Sequence, residues 1–154
     1  MKIRKYENKD LTQIIQLFYD TVHTVNAKDY SSLQLDAWAV KEPDIAAWEK
    51  RLHGEFILVA EQNGQIVGFG TLTNTGVIDH LFTHKDHQEK GIAGSILQKL
   101  EEEAKRRCLG IVKTEASRTA KPFFEKQGYI VLYSQLKPCR GLTLQNFVMQ
   151  KILT

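Results

Sequence analysis

The sequence predicts one α/β domain of α+β layout. Its sheet is mixed and mostly antiparallel, with a single parallel β-α-β crossover and helices on both faces. Three observations predict this. FILVAEQNGQIVGFGTL (residues 56–72) reads as a strand, an Asn63-Gly64 turn and a strand, the strongest hairpin signal in the chain. VIDHLFT (77–83) and IVKTEA (111–116) are strand-like and flank a helical run at 92–108, and such a crossover makes its two strands parallel neighbours. Helical spacing dominates the stretch between the first strand and the hairpin.

Taken in order, residues 2–6 form a first strand. Asp10 caps a helix with Gln13 in the capping-box position, and Leu11, Ile14, Ile15, Phe18 and Val22 recur on one face. Ser31 and Gln34 form a second capping box, opening a short helix through Trp38; DIAAWEKRL (44–52) gives another helix after Pro43. The hairpin and VIDHLFT follow. Helix 92–108 has one buried stripe, Ile92, Ile96, Leu97, Leu100 and Ala104. A short helix at 119–127 tolerates Pro122 in its first turn and ends at Gly128. IVLYSQL (130–136) and LQNFVMQKI (144–152) are the last two strands. The order is β-α-α-α-β-β-β-α-β-α-β-β. Trp38 and Trp48, at helical positions, read as core.

A chain of 154 residues suits one domain with a full core, and no repeat, low-complexity tract or linker divides residues 1–154. The composition, 42% hydrophobic and 25% charged, is that of a globular protein. Net charge is +3, and basic KRR (105–107) directly follows acidic EEE (101–103), so no nucleic-acid patch is expected. No apolar run spans a membrane and the N-terminus lacks a secretory segment. Cys108 and Cys139, without CxxC spacing, read as reduced thiols, and a cytoplasmic location is expected.

The most informative stretch is HQEKGIAGS (87–95), small residues between a strand and a helix. Free N–H groups and the dipole of a helix start attract an anion, which suits phosphate or pyrophosphate. The spacing is neither a Walker A loop nor G-x-G-x-x-G. A plain strand-to-helix turn is the alternative. What stands here, Gln88-x-x-Gly91-x-Ala93, resembles the acetyl-CoA signature of the GNAT superfamily of N-acetyltransferases. Ala120-x-x-Phe123-Phe124-Glu125-Lys126-x-Gly128-Tyr129 resembles that superfamily's late motif, and the element order is similar across essentially the whole chain. VNAKDYSSLQLDAWA (25–39) and GLTLQNFVMQK (141–151) are similar to a bacterial subgroup of small GNAT proteins.

The resemblance implies an acetyl-CoA-dependent N-acetyltransferase moving acetyl to a primary amine of a small molecule or protein, by direct transfer in a ternary complex. It implies cofactor contacts from Gln88, Glu89, Lys90, Gly91, Ile92, Ala93, Gly94 and Ser95. It adds the backbone of Leu81, Phe82 and Thr83, together with Ser117 and Phe124. His23 and Tyr30 are implied acceptor contacts, and the last strands a homodimer surface. The alternatives are a non-catalytic acyl-CoA-binding or regulatory module, or another acyl donor or acceptor.

Acetyl transfer needs a neutral amine, although an alkyl ammonium has a pKa of about 10.4. Asp79, two residues before Leu81 and on its face, is the first candidate base. A structural hydrogen bond is its alternative role. Glu115 is the second candidate, with an ion-paired strand end as the alternative. Phe124 stands where many GNAT enzymes have a tyrosine that protonates the leaving thiolate, so Tyr133, Tyr30 or solvent must substitute. His80, of opposite parity to Asp79, is expected to face away from the amine. His80, His84 and His87 lack zinc-site spacing, so no metal is expected.

Overall fold

The computed structural model describes residues 1–154. The chain runs through β1 (Lys2–Lys5), α1 (Leu11–Thr24), α2 (Ser32–Trp38), α3 (Ile45–Leu52), β2 (Phe56–Gln62), β3 (Gln65–Leu72) and β4 (Val77–Thr83). It continues through α4 (Ile92–Arg106), β5 (Ile111–Ser117), α5 (Lys121–Lys126), β6 (Ile130–Cys139) and β7 (Leu142–Ile152). Seven strands form one sheet in the order β1-β2-β3-β4-β5-β7-β6. Only the β4–β5 pair is parallel. The predicted fold class is the observed one.

Alternation along the central strands sorts their side chains between two layers. Leu58, Ala60 and Val67 meet the Ile92, Ile96, Leu97 and Leu100 stripe of α4 on one face. Ile57, Val59, Ile66 and Phe69 meet Leu11, Ile14 and Ile15 of α1 on the other. Helices cover both faces of β3, so it is buried from Ile66 to Leu72. Gly68 and Gly70 of β3 let α4 lie close. A Cβ at either would stand 2.8 Å from an isoleucine methyl, that of Ile92 or Ile96.

The Asn63-Gly64 turn forms, with both residues at positive φ. The Ser31–Gln34 capping box forms in both directions, and Asp44 caps α3 through the Ala47 amide. The start of α1 differs from expectation. Asp10 closes a 3-10 turn (Asn8–Asp10), and its buried carboxylate is held by both terminal nitrogens of Arg4 at 2.8 and 2.9 Å. Gln13 instead accepts from the Ile66 amide. An ion pair has taken the side chain that local spacing assigned to a cap. β6 runs on to Cys139, three residues past its expected end, and is followed by a tight Arg140-Gly141 turn. β6 is also one of the sheet's two edge strands, with Ile130, Leu132, Tyr133 and Leu136 exposed. No helix is long and apolar enough to cross a membrane.

Candidate active site

β4 and β5 are paired only at Val77↔Lys113 and Ile78↔Thr114. Thr114 Oγ1 donates to the Ile78 carbonyl at 3.0 Å, the last tie before the strands part. β5 stays paired with β7 as far as Ser117↔Asn146, while β4 from Asp79 to Thr83 has no strand on that side. The gap opens into a cavity of about 770 Å³ that continues under α1 and α3.

At one end of the cavity stands the start of α4. Gly91, φ +78°, is its N-cap and lies in the left-handed region that glycine adopts without steric cost. The first intrahelical bond runs from the Ser95 amide to the Gly91 carbonyl, so the Ile92, Ala93 and Gly94 amides have no partner within the helix. Gln88 Nε2 donates to the Thr83 and His84 carbonyls at 2.7 and 3.2 Å, tying the loop to the end of β4. Of the residues implied as cofactor contacts, Leu81, Phe82, Thr83, Gln88, Glu89, Gly91, Ile92, Ala93 and Gly94 line the cavity; Lys90 and Ser95 lie outside its walls. Unpartnered amides, an absent Cβ and an unpaired strand edge form a donor set that fits a pyrophosphate and an amide-bearing arm. Ser117 lines the cavity, with its Oγ accepting from the Ala120 amide. Phe124, buried, also lines it and packs edge-on against Tyr129.

The other end is built from side chains. The β3–β4 register jumps from Thr71↔His80 to Leu72↔Ile78, which makes Asp79 the extra residue of a β-bulge. The bulge breaks simple alternation, so Asp79 and His80 both line the cavity, and His80 does not face away as parity predicts. Thr71 Oγ1 accepts from the His80 amide at 2.9 Å, completing the bulge's hydrogen bonding. The His80 ring packs against Trp48 and Phe69. Burial lowers its pKa to about 4, leaving it neutral at pH 7.

Asp79 is paired to Arg51 of α3 through two bonds, Nε to Oδ2 at 3.0 Å and Nη2 to Oδ1 at 2.9 Å. Burial acts to raise Asp79, but Arg51, with His80 and Glu55, outweighs it and holds the carboxyl below its usual range. Glu55, between α3 and β2, sits beside this pair. Carboxylate oxygens of Glu55 and Asp79 and a ring nitrogen of His80 lie within 4.8 Å of one another. Glu55 Oε2 is buried with no hydrogen-bond partner. Burial and the neighbouring Asp79 charge push this carboxyl up to about 7.

The other candidates fare differently. Glu115 lines the cavity but is held by Lys137 at 2.7 Å and by Gln135. Tyr30 lines it with its hydroxyl committed, donating to the Gln145 carbonyl and accepting from the Arg118 amide. His23 lies outside the cavity wall, its Nε2 at 2.8 Å from the Ala39 carbonyl. Tyr133, 56% exposed on β6, is also outside, so the structure does not bring it to the site as a proton donor. Sequence reasoning missed Arg51, Glu55 and Tyr19, the other tyrosine on the wall. Trp38 and Trp48 pack against the core as their spacing predicts, and both also line the cavity with Phe18.

The family model for the acetyltransferase (GNAT) domain matches residues 26–151. The chain belongs to the GNAT family of acetyltransferases. An Escherichia coli K12 relative, the uncharacterized N-acetyltransferase YafP, is 32% identical over 97% of this chain and 95% of its own. A Rhodopseudomonas palustris crystal structure, described as a GCN5-related N-acetyltransferase and "Aminotransferase, Class-II", superposes with a TM-score of 0.95. It is 32% identical and covers 99% of this chain and 95% of that one. PaiA N-acetyltransferase of Thermoplasma acidophilum, solved with coenzyme A, has a TM-score of 0.79 at 18% identity, over 99% and 98% of the two chains. At that identity the likeness shows the shared GNAT fold.

Proposed function

We propose that this GNAT protein transfers the acetyl group of acetyl-CoA to a primary amine of a small molecule or protein, directly within a ternary complex. One observation carries the reading. A single cavity joins the unpartnered amides at the start of α4 to the Asp79 carboxylate, passing the unpaired edge of β4. Bound acetyl-CoA supplies the thioester. The amides of Ile92, Ala93 and Gly94 hold its pyrophosphate, and the edge at Leu81–Thr83 pairs with its amide-bearing arm. Membership of the family and the neighbour solved with coenzyme A support this donor.

Asp79 faces the acceptor end and is the group that first meets the amine's proton. Phe124 has no proton to give, and the thiolate leaves as solvent protonates it. A thiol near pKa 8.5 makes that step easy.

Saturating acetyl-CoA at 100 times its Kd adds about 2.7 kcal/mol to stability, so Tm rises by several degrees in a chain of this size. Release of free thiol on adding members of an amine panel then reports transfer. An unchanged Tm removes the acyl-CoA reading. A raised Tm without thiol release from any amine leaves a non-catalytic acyl-CoA-binding module, the reading that Phe124 favours.

A further inference from the structure

We propose that Glu55 is a positioning carboxyl that receives, through Asp79, the proton leaving the acceptor amine. The proposal rests on the acetyl-transfer reading and deepens it.

Asp79 is poorly suited to keep a proton. Both its oxygens are bonded to Arg51, and that cation favours its ionised form. Glu55 is placed differently. It is set back from the cavity wall, which Asp79 forms, so a proton from the acceptor meets Asp79 first. Its buried Oε2 has no hydrogen-bond partner, and a Glu55 carboxylate oxygen lies within 4.8 Å of one of Asp79.

The groups facing Glu55 fix the charge of the pair. Arg51 comes from α3, Asp79 and His80 from β4, and Thr71 from β3. His80 is neutral through burial, and Glu115 of β5 lies farther out in its ion pair with Lys137. One cation therefore serves two carboxyls. Arg51 neutralises Asp79, and Glu55 holds or lacks the one mobile proton near neutral pH.

The step balances. An ammonium N–H bond breaks at an Asp79 oxygen, Asp79 passes a proton on, and an O–H bond forms on ionised Glu55. The amine keeps its electron pair for attack on the thioester. A second N–H proton is lost to solvent, and solvent protonates the departing thiolate. Glu55 later gives its proton to water, which accounts for the one proton released when an ammonium and a thioester become an amide and a thiol.

Glu55→Gln tests this through the pH profile of kcat/KM for an amine found by the thiol-release panel. The native protein shows a limb that rises through about pH 7. The variant loses that limb. Its deficit, on the order of 100-fold at pH 7, closes as pH approaches the amine's own pKa of about 10.4. A deficit equal at every pH means a merely structural Glu55 and overturns the proposal.

A second measurement needs no acceptor. Carbon-13 NMR of the glutamate carboxyls of the free protein shows one resonance titrating near neutrality, absent in Glu55→Gln. If all titrate in the ordinary carboxylate range, the proposal falls and acetyl transfer stands. Acetyl-CoA binding with no amine acetylated removes the transfer reading instead.

Discussion

The two ends of the cavity are made from different materials. The loop end is backbone: unpartnered amides at the start of α4 and an unpaired edge of β4, with Gly91 supplying the one conformation that needs glycine. The acceptor end is side chain: a carboxylate from a bulge in β4, a guanidinium from α3 and a second carboxyl from the turn between α3 and β2. Backbone geometry tolerates many sequences, so one fold can keep its donor while the acceptor end changes. Charged side chains brought together by packing depend on each partner.

Substitutions at each end should therefore separate two readouts. The largest effect expected is from Asp79→Asn, which keeps the shape and removes the carboxylate proposed to face the amine. Transfer falls about 10²- to 10⁴-fold while the Tm rise on adding acetyl-CoA persists. Loss of that rise as well breaks the contrast between the ends. Gly91→Glu does the reverse. It places a side chain at φ +78° and an anion where the phosphate binds, so acetyl-CoA affinity, read by titrating the Tm shift, drops at least about tenfold.

Acid probes the side-chain end through His80. His80 has a folded pKa lowered to about 4 from 6.5, so its neutral burial contributes stability above pH 6.5 that is lost as pH falls through 4. The loss is about 3 kcal/mol on full protonation; Glu55, raised to about 7, gains stability over the same range, so the His80 loss is read by denaturant unfolding between pH 7 and 4 in Glu55→Gln. Gly68→Ala probes the scaffold of the loop end. Its new methyl meets Ile92 at 2.8 Å and costs about 1–3 kcal/mol unless α4 shifts. Such a shift would weaken acetyl-CoA binding more than it alters the pH profile. The smallest effect expected is from Tyr133→Phe: its hydroxyl is outside the cavity, so transfer stays within about twofold, as surface substitutions usually do.

What could be read in the sequence divides along the same line. The hairpin, the crossover and the α4 stripe were legible because each rests on local period and turn chemistry, and each stands where expected. The loop was legible as a helix start with small residues, and α4 does begin there with Gly91 as its N-cap. Glu55 and Arg51 were not, because nothing local marks them. They matter only once α3 packs beside β4, a contact between residues 28 positions apart in the case of Arg51 and Asp79. His80 shows a third kind of failure. Alternation sends it away from Asp79, but a single inserted residue in the ladder resets the count. Tyr30 failed differently again. It reaches the cavity, but its hydroxyl ties α5's approach to β7, satisfying Gln145 and Arg118.

The parting of β4 from β5 has a consequence for dynamics. A sheet with an unzipped seam has amides on the cleft side of Leu81–Thr83 that exchange with deuterium as freely as an outer strand's, although they sit in the middle of the molecule. A ligand that supplies carbonyls along the seam closes it like a missing strand. Exchange at these residues should then slow far more than at β6, a true edge. The acyl donor would thus act as a temporary piece of the sheet, and each turnover would open and close the seam.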